Sequence, residues 1–203
     1  MSINIINRAL IKLGQPPISS TRQEPYGQLM SLLYEDCKNL LLADHYWRFA
    51  IKRIVLAPDE EEPISGFAYA YTLPSDFLTL YGFGEYYKTP NYSDNIIKSD
   101  QRYSIEGNKI LCDVADKLYI SYVARVDDTK RFSPWFREAL ISRIASEAAM
   151  RAKLSPELQK MFSNEFIAYL ERAEYNDEIM RDTETISDSS WVGVRGEYNT
   201  YEY

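Results

Sequence analysis

The chain has 203 residues, 45% hydrophobic and 26% charged, which excludes a disordered chain and leaves room for one good core or two small ones. A formal net charge of -7 argues against a surface built to grip nucleic-acid phosphates. No apolar run approaches the roughly 20 residues that a membrane span requires.

The opening "MSINIINRALIKLG" carries polar residues every few positions and lacks the apolar centre of a signal peptide. Synthesis and folding in a cytoplasm are therefore expected. Ser2 can cap a first helix whose apolar face is Ile3, Ile6, Leu10 and Leu13, and Gly14 with Pro16 and Pro17 stops it. Leu29, Leu32, Leu33, Cys37, Leu40 and Leu41 recur at helical spacing and predict a second helix from about Pro25 to Ala43.

The period then changes to two. "WRFAIKRIVL" alternates, with Trp47, Phe49 and Ile51 opposite Arg48, Ala50 and Lys52. "FAYAYTLP" sets Phe67, Tyr69, Tyr71 and Leu73 against Ala68, Ala70 and Thr72, and "FLTLYGF" follows as another strand. The segment Gly84 to Asp100 is rich in turn residues, among them Pro90, Asn91, Ser93 and Asp94. It predicts a loop projecting from the sheet. "YSIEGNKILCDV" predicts a hairpin across Gly107 and Asn108. "KLYISYVARV" completes a meander of five or six strands, with Leu118, Ile120, Tyr122, Ala124 and Val126 on one face.

Helices return at Ser133-Pro134 and again at Ser155-Pro156, two N-caps each followed by proline at the first helical position. The last helix is expected to bury Leu158, Met161, Phe162, Phe166, Tyr169, Leu170 and Ala173. The expected fold is α+β: a four-helix bundle with an inserted antiparallel β meander or sandwich and an extended C-terminal arm. In residue numbers, 1-45 and 129-182 form the discontinuous helical domain, 46-128 the β insertion and 183-203 the arm.

Chemistry is sparse along this chain. His45 is the single histidine and lacks a second one to complete a usual zinc or His-paired site; packing beside Tyr46 and Trp47 is its expected role. Asp59 to Glu62 form a contiguous acidic run between prolines, which reads as a solvated loop because calcium loops space their ligands differently. "GFGEYY" has Tyr87 where a dinucleotide fingerprint needs its third glycine, and no helix follows. Asp36, Asp44, Asp113 and Asp127 give no paired-carboxylate spacing. Cys37 and Cys112 read as two buried free thiols. No catalytic residue, cofactor or metal site is expected, and the reading is not an enzyme. The 17 tyrosines against 8 glycines point instead to contacts with other proteins.

"ALIKLGQPPI", a helix ending A-L-x-x-L-G before a double proline, resembles the start of the tail tubular protein A family, the head-to-tail adaptors of short-tailed bacteriophages. The likeness continues through "LYEDCKNLLLADHYWRFAIKR", "YAYTLPSDFLTL", "YSIEGNKILCD", "LYISYVARV", "FSPWFREALISRIASEAA" and "SSWVGVR", in the family's order and over nearly the whole chain. The resemblance implies a virion protein of the neck, a homo-oligomeric and typically dodecameric ring between the portal protein and the tail nozzle protein. Genomic DNA would pass through its channel without specific binding, which a negative wall favours. Portal or neighbour-subunit contacts are expected at Trp191, Val192, Val194 and Arg195, and nozzle contacts at Tyr86, Tyr87 and Tyr92. Two other readings compete: an intracellular protein-binding module using the tyrosine-rich sheet, and a carboxylate-dependent hydrolase or nuclease using Asp36, Asp44 or His45.

Overall fold

A computed structural model describes residues 3–22, 26–64, 66–87, 96–98, 102–151 and 155–180, with backbone alone at 85–87 and 96–98. The fold is α+β. Among the described residues there are four α-helices, α1 (Ile3–Lys12), α2 (Gly27–Asp44), α3 (Pro134–Arg151) and α4 (Pro156–Ile179). Between α2 and α3 run seven strands: β1 (Ile51–Leu56), β2 (Tyr69–Thr72), β3 (Phe77–Tyr87), β4 (Ile96–Lys98), β5 (Tyr103–Glu106), β6 (Lys109–Cys112) and β7 (Leu118–Ala124).

The helix ends follow local chemistry. After α1, Gly14 takes a φ of +70°, and the Gln15 N–H reaches back to the Leu10 carbonyl at 2.9 Å, a left-handed stop that suits glycine. The chain is then tied down by Asn7, whose amide donates to the Ile18 carbonyl and accepts from the Ile18 N–H, both at 2.9 Å. Ser133 accepts from the Phe136 N–H at 3.2 Å, and Ser155 from the Leu158 N–H at 3.4 Å, so both serine-proline caps work as their spacing predicts. Ser2 and Pro25 lie outside the described residues.

The strands do not form a simple meander. One antiparallel sheet has the order β1-β7-β3-β4 and the other β2-β6-β5. The reason lies in β7, which is apolar on both faces and therefore belongs in the middle of a sheet. Its Val123 enters the core beneath the helices, while Ile120, Tyr122 and Ala124 enter a second core shared with Tyr71, Ile110 and Cys112 of the smaller sheet. β7 thus forms the wall between two cores. The expected hairpin is present: β5 and β6 pair with Glu106 opposite Lys109, and Gly107 turns with a φ of +61°.

Three expectations are corrected. Trp47 to Ala50 is a tight turn rather than the start of β1, closed by the Ala50 N–H on the Trp47 carbonyl at 2.8 Å. Trp47 and Ala50 are both fully buried, so the alternation in "WRFA" reflects aromatic packing in a turn. Gly84 to Asp100 is not one loop. Its first four residues finish β3 and Ile96 to Lys98 form β4, because an opposite-charge pair, Glu85 opposite Lys98, and two tyrosine–isoleucine pairs, Tyr86 with Ile97 and Tyr87 with Ile96, carry the ladder past the expected turn. Leu158 and Met161 of α4 are 40% and 50% exposed, because α4 buries only a narrow seam against α3.

The helical core centres on α3, which touches each of the other three helices. Trp47, Phe49, Phe132 and Phe136 form its aromatic hub, with Phe136 edge-on to Trp47 at 4.9 Å and to Phe49 at 5.1 Å. The Trp47 indole N–H donates to the Leu41 carbonyl at 2.7 Å, so the buried ring leaves no polar atom unpaired.

Candidate functional site

The positions with chemical potential are best judged by what each side chain touches. His45 lies where α2 ends. Its ring packs 4.6 Å from Trp47, and its Nε2 is buried, without a hydrogen bond, 3.7 Å from an Asp177 oxygen. Asp177 accepts the Arg48 N–H at 3.2 Å and so pins the last turn of α4 to the corner after α2. His45 serves this corner.

The acidic residues are dispersed. Asp127 takes the ammonium of the fully buried Lys38 at 2.7 Å, and Glu35 takes it at 2.8 Å. Burial disfavours the Lys38 charge, but its two acidic partners outweigh that and hold its pKa above the usual value. Asp127 is correspondingly held below the usual carboxylate range by its bond from Lys38. Asp113 accepts the Ala68 N–H at 3.0 Å, and Asp59 binds Lys109 at 2.8 Å as well as Thr72. The acidic run therefore fastens its first residue to the smaller sheet, while Glu60, Glu61 and Glu62 face solvent. Asp36 lies on the exposed side of α2. Among the described residues no group of three or more His, Cys, Asp or Glu is placed to hold a metal ion. Cys37 and Cys112 are buried free thiols, and burial pushes Cys37 up to about 11, which leaves it a poor nucleophile.

Asp76 plays a role that spacing did not reveal. It ends the L-P-S-D turn, accepts the Tyr122 hydroxyl at 2.9 Å, pairs with Lys52, and offers its carbonyl to the Arg125 N–H at 2.7 Å. Asp76 thereby joins β1 and β7 through its carboxylate, and its backbone carbonyl ties the start of β3 to the end of β7. Burial and this bond push Tyr122 up to about 12. The sequence shows the turn and conceals the three partners.

The remaining features are surfaces. On α4, Met161, Ala168, Tyr175 and Ile179 are all exposed and recur at spacings of seven and four, forming one stripe on the outer side of the helix. Beside it, α2 and α4 flank α3 and leave a groove of about 250 Å³ between them. Leu40, Leu41, Phe166 and Leu170 form its apolar walls, and Arg143 and Asp44 are its charged groups. Arg143 stacks over Phe166 at 5.3 Å and pairs with Glu147 at 3.0 Å. Neither surface was singled out from sequence, since residues from three helices compose the groove and exposure composes the stripe.

Of the expected contact residues, Tyr86 and Tyr87 end β3 opposite Ile97 and Ile96. Tyr92, Trp191, Val192, Val194 and Arg195 lie outside the described residues. No family model matches the chain, and no curated protein matches it. Among the described residues no helix is long and apolar enough to cross a membrane.

Proposed function

We propose that this chain is a structural subunit of a phage neck, a head-to-tail adaptor that forms a ring between the portal protein and the tail nozzle protein. The observation that carries the reading is the outer side of α4. There Met161, Tyr175 and Ile179 stand 50% to 65% exposed on a subunit whose buried clusters close without them. Exposed apolar rows of this kind mark protein interfaces. A closed ring of identical subunits provides such an interface on every copy.

The order of motifs from "ALIKLGQPPI" to "SSWVGVR" supports the same reading and directs it to the tail tubular protein A family. In this proposal residues 1-45 and 129-182 make a discontinuous four-helix bundle, with 46-128 inserted as a β domain and 183-203 as an arm. Trp191, Val192, Val194 and Arg195 meet the portal or a neighbouring subunit. Tyr86 and Tyr87, at the end of β3, and Tyr92 meet the nozzle. The net charge of -7 gives the channel a wall from which a polyanion slides freely. The role needs neither catalysis nor a cofactor.

Sedimentation of purified tailed particles tests this directly. The chain is expected in the particle fraction at several copies per portal. Finding it free in the infected cell, with none in the particle, would sink the reading.

A further inference from the structure

The groove between α2 and α4 is open, apolar and carries one available charge. Leu40 forms its lip at 63% exposure, although α2 buries Leu33, Cys37 and Leu41 beside it. A volume of about 250 Å³ between largely apolar walls admits one large side chain. Of its two charged groups, Arg143 is engaged by Glu147 and by the Phe166 ring. Asp44 has no ion-pair partner among the described residues. The groove therefore calls for a bulky apolar group followed by a cation.

This chain carries such a pair. Trp47 is fully buried, and Trp135 packs on Tyr169 with Arg172 over its ring, which leaves Trp191 as the remaining tryptophan. Arg195 follows it by four positions, and Val192 and Val194 lie between them. The path is short enough. Asp177 holds the end of α4 against Arg48, so the chain leaves the helix at Met180 beside the corner where α2 ends. From Met180 back to Phe166 is about 21 Å along a helix. From Met180 on to Trp191 an extended chain reaches about 36 Å. The difference lets the segment meet the groove in either direction.

We infer that the groove between α2 and α4 is the docking site for the chain's own segment Trp191 to Arg195, with Trp191 seated between Leu40 and Phe166 and Arg195 paired to Asp44. The inference stands without the adaptor reading, because it needs only this chain. It gives the isolated subunit a store for its arm: a partner that competes for Trp191 would empty the groove and free the segment at the same time. Docking within one chain has the advantage of effective concentration, so a modest contact suffices.

Hydrogen exchange on the full-length chain, read by mass spectrometry at several protein concentrations, tests it. Amides 190–196 are expected to exchange at least about tenfold more slowly than an unprotected chain, independently of concentration. Leu40→Asp, at an exposed position, should return them to the unprotected rate while α3 keeps its protection. Asp44→Arg and Arg195→Asp should each weaken the protection, and the two together should restore it, which decides the matter even if Leu40→Asp disturbs the fold. Unprotected exchange in the unaltered chain would overturn the inference. So would protection that survives Asp44→Arg, or protection that appears only as concentration rises, which would place the segment on a second copy.

Discussion

α3 and α4 are neighbours with the same kind of beginning, a serine cap and a proline, yet they use their surfaces in opposite ways. In its 18 residues α3 buries nine, among them Phe136, Leu140, Ile141 and Ile144. α4 is longer, at 24 residues, and buries only Phe162 and Ala173. α3 sits among three helices, whereas α4 leans chiefly on one. Polar ties are shared more evenly: Ser146 of α3 meets Ser163 of α4 at 2.9 Å, and Lys12 of α1 reaches Ser142 of α3 at 3.0 Å and Glu165 of α4 at 2.7 Å. A helix with apolar residues on more than one side, packed on a single neighbour, keeps apolar surface for something else. That is the physical content of the adaptor proposal.

The contrast can be broken first at its strongest point. Phe136→Ala should cost about 4 kcal/mol in chemical denaturation, because the ring fills the hub between Trp47, Phe49 and Phe132. A loss under about 1 kcal/mol would show that α3 is less central than its burial implies. Phe162→Ala on α4 should cost less, about 2 to 3 kcal/mol, since Phe162 meets mainly Ala145 and Ala149. Exchange should rise in α4 before it rises in α3.

Acid offers a smaller effect with a definite sign. The Asp127 pKa is lowered in the folded chain by its bond from Lys38, so its contribution is whole above the unfolded carboxylate value of about 3.9 and is lost as pH falls through the lower folded value. Lys38→Met should flatten that acid limb of the stability curve measured by urea midpoints. An unchanged limb would assign the acid sensitivity elsewhere. The smallest expected change in stability comes from Met161→Ser and Ile179→Ser, each within about 0.5 kcal/mol because both side chains are at least half exposed. Both should nevertheless impair ring formation, and full assembly by the pair would remove the outer stripe from the account.

Much of this was readable along the chain wherever the signal was local. The serine-proline caps, the left-handed stop at Gly14, the hairpin at Gly107 and the strand Leu118–Ala124 each depend on a few adjacent residues. Periodicity was less informative about depth. It placed Leu158 and Met161 in a core although both are exposed, because a spacing identifies an apolar side and not how much of it a neighbour covers. Alternation misread Trp47 to Ala50, where aromatic residues pack inside a turn. The place of β7 between β1 and β3, the three partners of Asp76 and the groove from Leu40 to Phe166 depend on distant segments meeting. No spacing announces them.

Light scattering of the purified chain, alone and then mixed with portal protein, tests the central claim most directly. The account predicts a monomer near 23.6 kDa at low concentration and a multi-copy ring once the portal is present. A tight dimer that ignores the portal would contradict it.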